Sequence, residues 1–506
     1  MKKLLLIILS LIACTNFAAA QNYLTLTAEE AKSNFYIAFK GYESGEEPNL
    51  QYSTDKVNWK NLKSNEWVYL TNIGDKVYLR GKNSKGLSFS NDTYTNIRIS
   101  GKVVASGSVM SLIDNNGSST QMVGTFQNLF SGSQGLTKAP ELPATTLTNQ
   151  CYYAMFSNCH SLISGPALPA TTMKDSCYAY MFDACDALTT TPKLPATKLA
   201  PYCYAQMFGN CTALTSASDL PSNVVEDYSY YCMFGNCKNL KAAPNFQFSY
   251  VGKYSCFGMF SYCNQLQTAP TTMPAIKMKP YCYAMMYYGT QVAKVPSELP
   301  AIELAEGCYQ RMYQSNTAIT TAPKLPAMDM KQYCYDRMFD GCSNLTTAAD
   351  LPANALTTDC YNSMYRSTNI TQLKVGFTNW NSYSKDFLSS ITTSGTLYGP
   401  QALSSEAKDN IPTKWTFSSS AYVYVANAIL RKYISVTPAV FTNGTNTLIK
   451  LYYKGRPGYK TKITATASGT VLWESSESES LTKKLLCKQI PLFVSYFHGP
   501  AISAGA

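Results

Sequence analysis

A Met-aromatic dipeptide returns through the middle of the chain at Met155-Phe156, Met181-Phe182, Met207-Phe208, Met233-Phe234, Met259-Phe260, Met286-Tyr287, Met312-Tyr313, Met338-Phe339 and Met364-Tyr365. Every step is 26 residues except the 27 between Met259 and Met286, and one step back lies a degenerate copy, Leu129-Phe130. Ten copies therefore run from about Thr125 to about Thr371. A unit of this length cannot bury its own apolar face, so the units must stack with each coil covering the next.

Each copy repeats the same chemistry. An apolar residue stands eight before the Met, as in Leu147, Met173, Leu199, Val225 and Val251. Cys stands four before it at Cys151, Cys177 and Cys203, and four after it at Cys159, Cys185, Cys211, Cys237, Cys263 and Cys342. At about 100° per residue these offsets collect on one broad face of a helix. Leu142-Pro143-Ala144-Thr145-Thr146 leads into the first such stretch, and Leu-Pro-Ala returns at Leu168, Leu194, Leu299, Leu325 and Leu351. The Thr suits an N-cap and the Pro fixes the entry of the chain. The run from Ser161 to Leu168 that follows is too short and too Pro-marked for a second helix. One helix and one short strand per coil make an α/β solenoid. With strands about 4.8 Å apart, the coils present a sheet edge of roughly 45 to 50 Å, a binding wall and not a catalytic pocket.

The stretch from Met181 to Tyr204, with Cys185, Leu188, Leu194-Pro195-Ala196, Leu199 and Cys203-Tyr204 in fixed places, resembles the BspA-like leucine-rich repeats of bacterial surface proteins, extended by the Cys-Tyr step. Ser106 to Leu112 and Ile411 to Thr416 resemble the segments that enter and close such arrays. The resemblance covers about half the chain. It implies a solenoid of leucine-rich-repeat type, and with the repeat count and the β-rich runs on either side the expected fold is an α/β solenoid of about ten 26-residue coils flanked by small all-β domains. It also implies an exported protein that binds host matrix, other cells or glycans.

Composition narrows the function classes. The net charge is +11, yet charged residues are only 14% of the chain against about 25% in an average domain, which argues against a nucleic-acid binder. His160 and His498 are the only histidines beside 17 Cys, and no Cys-x-x-Cys spacing completes a zinc site, so neither metal nor cofactor is expected. Neither His has a nucleophile or acid partner by pattern, and no hydrolase, phosphate-loop or dinucleotide motif occurs. The expectation is a non-enzyme, with a cryptic hydrolase built on paired carboxylates as the remaining enzymatic alternative.

Two ladders invite a functional reading and a packing one. On a helix Cys151 and Cys159 lie about 12 Å apart, beyond the ~7 Å that a disulfide allows. Cys282, Cys308 and Cys360 persist in copies whose second Cys position is occupied by other residues. Buried thiols are therefore preferred to a disulfide framework. Tyr152, Tyr178, Tyr204, Tyr283, Tyr309, Tyr335 and Tyr361 form a second ladder, either a stripe for stacking on sugars or a packing element. Residues fixed in every coil are what packing demands, and packing is preferred. Recognition then falls to variable positions just before the Cys: Lys174, Asp175, Glu226, Asp227, Lys331 and Gln332 are the candidate ligand-facing residues.

The flanks complete the domain plan. Residues 1–20 read as a signal peptide with Lys2 and Lys3, an apolar run and Ala18-Ala19-Ala20, against which Leu11-Ile12-Ala13-Cys14 competes as a lipobox that would lipidate Cys14. Short β-rich runs make 21–119 a β-sandwich-like domain, 120–372 the solenoid, 373–420 its C-terminal cap and 421–506 a small β-rich region. Trp59 and Trp67 are sugar platforms or core residues, with core preferred. Beyond the signal no run reaches the ~18 apolar residues of a membrane span. The expected function is a secreted or cell-surface adhesin-like protein, outer-membrane-associated if Cys14 is lipidated, that recognises a host or bacterial surface protein or glycan. A structural surface or appendage component is the alternative.

Overall fold

The computed structural model describes residues 21–419, save Thr271, Asn354, Asn381 and Lys385, and farther on the backbone of six strands between Ile434 and His498. The signal segment with Cys14 lies outside the described residues. Two compact units emerge: Met1–Ser222 with Tyr228–Phe246, and Asn223–Asp227 with Gln247–Ala506.

The first unit begins with eight strands: β1 (Leu24–Ala28), β2 (Ser33–Lys40), β3 (Leu50–Ser53), β4 (Lys60–Asn61), β5 (Trp67–Leu70), β6 (Lys76–Gly81), β7 (Tyr94–Ser100) and β8 (Val103–Ser106). Alternation of buried and outward side chains along β1, β5 and β6 gives each a core face. They pair antiparallel as β4-β3-β6-β1-β8 and β5-β2-β7. The first of these sheets does not stop at the expected boundary near residue 119. Its β8 pairs in parallel with β9 (Leu136–Lys138), and Lys138, Ser164, Thr190 and Ser216 bridge in parallel from coil to coil. Neither tryptophan is a core residue. Trp59 is half-buried beneath the Arg80 guanidinium, 3.8 Å from its ring centre, and Trp67 is 46% exposed on the outward face of β5, 4.6 Å from Tyr36.

The repeats wind as a β-solenoid, and the expected helix is absent from the coil. Among the described residues the α-helices are α1 (Ser111–Asp114) and α2 (Ser404–Asn410), neither inside a repeat. An array of tight turns stands in the helix's place. In the coil around Met155 the amides of Tyr153, Met155, Ser157 and Cys159 donate three residues back, to Gln150, Tyr152, Ala154 and Phe156. The intervening amides of Gln150, Tyr152, Ala154, Phe156 and Asn158 donate instead to the next coil, to the carbonyls of Asp175, Cys177, Ala179, Met181 and Asp183. Alternate backbone groups thus close turns and join coils. Every fourth residue, Gln150, Ala154 and Asn158, takes a left-handed backbone with φ of 55°, 49° and 60°, as a turn with positive φ at its third residue requires.

This arrangement explains why a helical reading fails. Leu147, Cys151, Met155 and Cys159 are strictly four apart, a step that drifts about 40° on a 3.6-residue helix and would scatter them over ~120°. A four-residue turn period keeps all of them on one side, where each is under 5% exposed. The helix would also spend its amides within the coil, whereas the turn array uses half of them to hold the coils together.

Side chains then stack like on like. In the first unit Phe130, Phe156, Phe182, Phe208 and Phe234 follow one another with ring centres 5.5–5.7 Å apart, and Phe126, Tyr152, Tyr178, Tyr204 and Tyr230 do so at 5.8–6.0 Å. The second unit repeats the arrangement with Phe260, Tyr287, Tyr313, Phe339 and Tyr365, and with Tyr283, Tyr309, Tyr335 and Tyr361. Burying each ring contributes about 1.5–3 kcal/mol and each stacked pair roughly 0.5–1.5 kcal/mol more. The Tyr ladder expected from the sequence is this buried column, a packing element. Fifteen cysteines between Cys151 and Cys360 are unbonded, and all but Cys232 are buried. The thiols of Cys159, Cys185, Cys211 and Cys237 donate to Phe130, Phe156, Phe182 and Phe208 of the preceding coil at 3.0–3.1 Å.

In the second unit β10 (Val224–Val225) and β11 (Tyr250–Val251) pair in parallel, and the repeats end in the parallel sheet β12 (Gln372–Lys374), β13 (Gly395–Gly399) and β14 (Trp415–Ser419). The indole of Trp415 is buried there and donates to Thr393 at 3.0 Å. Six further strands, β15 (Ile434–Pro438), β16 (Thr447–Tyr453), β17 (Tyr459–Ala465), β18 (Val471–Glu474), β19 (Leu481–Cys487) and β20 (Leu492–His498), form the antiparallel sheets β15-β16-β19 and β18-β17-β20. Among the described residues no helix is long and apolar enough to cross a membrane.

Candidate functional site

The turn array buries its Met, Phe and Cys positions and leaves most of its left-handed residues at the surface, Ala154, Gly258, Gly307 and Ser363 being buried. The predicted ligand-facing residues lie where it starts. Lys174, Asp175, Asp227, Lys331 and Gln332 are exposed, while Glu226 is half-buried. Their main chains belong to the scaffold: Cys177 donates to Lys174, Gln150 to Asp175 and Gly307 to Gln332. The Asp227 carboxylate accepts the Lys253 amide at 2.7 Å, and the Lys331 ammonium pairs with Asp329 at 2.8 Å. No shared chemistry unites the six, so by themselves they are a border.

The column beside that border carries what sequence reasoning missed. One residue on, the left-handed position is tyrosine in five coils: Tyr202, Tyr228, Tyr254, Tyr281 and Tyr333, with φ between 51° and 57°. Gly307 occupies the equivalent place at φ 55° in another coil. A bulky residue there costs of order 1 kcal/mol or more relative to glycine, and Tyr202 is nonetheless 43% exposed. In the first unit Tyr202 and Tyr228 stack at 4.4 Å, and in the second Tyr254 and Tyr281 at 4.8 Å. The recurring Pro201-Tyr202-Cys203-Tyr204, Pro280-Tyr281-Cys282-Tyr283 and Gln332-Tyr333-Cys334-Tyr335 is the sequence signal for it.

Polar groups cross the same face. In the first unit Asp183 Oδ1 accepts Asn210 Nδ2 at 3.0 Å and Gln206 Nε2 at 3.3 Å, and Asn210 Oδ1 accepts Asn236 Nδ2 at 2.9 Å. Burial raises the Asp183 carboxyl above its ordinary value, against the lowering effect of those amides. Asp183 has no cationic partner among the described residues. Gly209 makes the approach possible, since a Cβ there would sit 2.8 Å from Asp183 Oδ1. In the second unit the equivalent carboxylate, Asp340, is gripped by Arg366 through two bonds of 2.8 and 2.6 Å and by Gln314 at 2.8 Å. There Tyr281 donates to Glu306 at 2.8 Å, and burial and then that carboxylate raise its phenol.

Catalytic and metal chemistry find less. His160 does have an acid partner that pattern reading missed: its Nδ1 lies 2.7 Å from Asp186 Oδ2, one coil on, with both side chains over 40% exposed. An exposed pair of this kind is a surface contact of small worth. No group of three or more His, Cys, Asp or Glu that could hold a metal ion occurs among the described residues. A cavity of about 690 Å³ in the second unit is lined by Trp380, Asp386, Phe387, Asp409 and Ile411, without a hydrogen-bonded acid-base pair among these five. Compared with family models, curated proteins and solved structures, the chain finds no match.

Proposed function

We propose that this protein is an exported, adhesin-like binding protein that holds a host or cell-surface partner on the turn face of its solenoid. The observation that carries the reading is the tyrosine column in left-handed backbone, which costs folding free energy while leaving Tyr202 43% exposed and Tyr228, Tyr254, Tyr281 and Tyr333 half-buried at the surface. The Met-Phe and Leu-Pro-Ala repeats support it through their resemblance to BspA-like leucine-rich-repeat proteins, as do the signal-like first twenty residues. Secretion, or retention at the outer membrane through a lipid on Cys14, places this face outside the cell. No reaction is assigned to it.

Binding of the full chain to immobilised matrix proteins, epithelial cells and glycans tests the proposal. Saturable binding is expected, and a Tyr202→Ala, Tyr228→Ala double variant should lose about tenfold or more in affinity, as the loss of exposed aromatic anchors does elsewhere. Absence of binding to every surface would favour the alternative, a structural surface or appendage component.

A further inference from the structure

We infer that the turn face of the first unit is a carbohydrate-binding platform, in which Tyr180, Tyr202 and Tyr228 supply aromatic surface and Asp183, Asn210 and Asn236 meet the hydroxyls of a neutral glycan. The inference rests on the binding reading above and names its ligand class.

These residues form one patch. Tyr202 stacks on Tyr228 at 4.4 Å, and Tyr228 lies 6.0 Å from Tyr231. The Tyr180 amide donates to Ala205 at 2.8 Å, and the next residue, Gln206, donates its amide to Tyr231 at 2.7 Å and its side chain to Asp183 at 3.3 Å. A row of phenols at the surface, Tyr202 exposed and Tyr180 and Tyr228 half-buried, suits a flat ligand with an apolar C–H surface and a rim of hydroxyls, which is the form of a pyranose.

The polar row fixes the ligand class further. An ionised carboxylate offers about four lone-pair sites, and the amides of Asn210 and Gln206 engage Asp183 only through Oδ1. The amide-to-amide bond from Asn236 holds Asn210 in one orientation, so donors and acceptors are presented without reorganisation. A ligand that donates hydroxyls satisfies Asp183, whereas an acidic glycan would set a second charge against a partly buried carboxylate that no cation offsets. Protein interfaces share the enrichment in aromatic residues but are depleted of Asp at their centres, so it is the Asp183 row and not the tyrosines that favours a glycan over a protein. The second unit shows the contrast, since Arg366 already satisfies Asp340.

Native affinity electrophoresis of the full chain through gels containing mannan, amylose, β-glucan or galactomannan decides the matter, with binding to fibronectin measured in parallel. At least one neutral polysaccharide should retard the protein. Tyr202→Ala and Asp183→Asn should each weaken that retardation about tenfold, while Tyr202→Phe, which keeps the ring, should retain most of it. Unchanged far-ultraviolet circular dichroism confirms that the variants fold. Free migration in all four gels, or retardation equal in wild type and variants, would overturn the glycan inference. Fibronectin or cell binding that Tyr202→Ala abolishes would in that event leave the broader binding proposal standing, and no binding to anything would remove both.

Discussion

Tyr335 shows what a single position in the buried column contributes. Its ring stacks between Tyr309 at 5.7 Å and Tyr361 at 6.0 Å, but its hydroxyl is buried without a protein partner. Stacking and hydrogen bonding therefore pull apart here, and the ring is what the column requires. Tyr335→Phe should raise stability by about 1 kcal/mol by removing an unsatisfied hydroxyl, whereas Tyr335→Ala should cost about 3–5 kcal/mol through the cavity. Thermal melts of the two variants check this, and a destabilised Phe variant would reveal a partner for the hydroxyl. The burial of this column and of the thiols was legible in the sequence, because both recur coil after coil. The outward column was not, since Tyr202 and Tyr204 differ by two positions and only the backbone decides which faces inward.

At the scale of the element, the repeat length was legible and the conformation was not. A four-residue apolar period suits a helix locally, and only the backbone amides reveal that alternate groups serve the neighbouring coil. One sequence trace of the left-handed positions does exist. The last such residue in successive coils is Asn158, Ala184, Asn210 and Asn236 in the first unit, and Tyr262, Gly289, Ser315, Gly341 and Ser367 in the second. Asn and Gly tolerate this backbone and no β-branched residue appears, as hard-sphere sterics demand. Ala184, at φ 57°, is the natural probe. Ala184→Gly should stabilise the first unit by about 1 kcal/mol, and Ala184→Val should destabilise it by a similar amount or more. Urea denaturation measures both. A helix at this site would reverse the order, because glycine costs a helix about 1 kcal/mol relative to alanine.

For the whole molecule, the thiols make stability a function of pH. A free thiol titrates near 9.0, yet burial pushes Cys159, Cys177 and Cys256 up to about 12 and raises Cys151, Cys185 and Cys203 well above their ordinary value. Above pH 9 the unfolded chain releases these protons while the folded chain holds them. Unfolding then binds fewer protons than folding does, so stability is fully present below about pH 9 and falls as the pH rises toward 12. Each thiol contributes a slope of about 1.4 kcal/mol per pH unit in that window, and several acting together exceed the roughly 5–15 kcal/mol that keeps a domain folded. Circular dichroism should therefore show cooperative loss of structure at about pH 10 to 11. The chain itself supplies the control, since Thr290 and Thr368 occupy the thiol position in two coils and donate to Tyr287 and Tyr365 at 2.9 and 2.8 Å. Replacing Cys159, Cys185 and Cys211 by Thr should flatten the alkaline transition and move it to higher pH, even where it lowers stability at pH 7. An alkaline midpoint that does not move with those replacements would mean that the thiols are not the groups whose titration unfolds the coils.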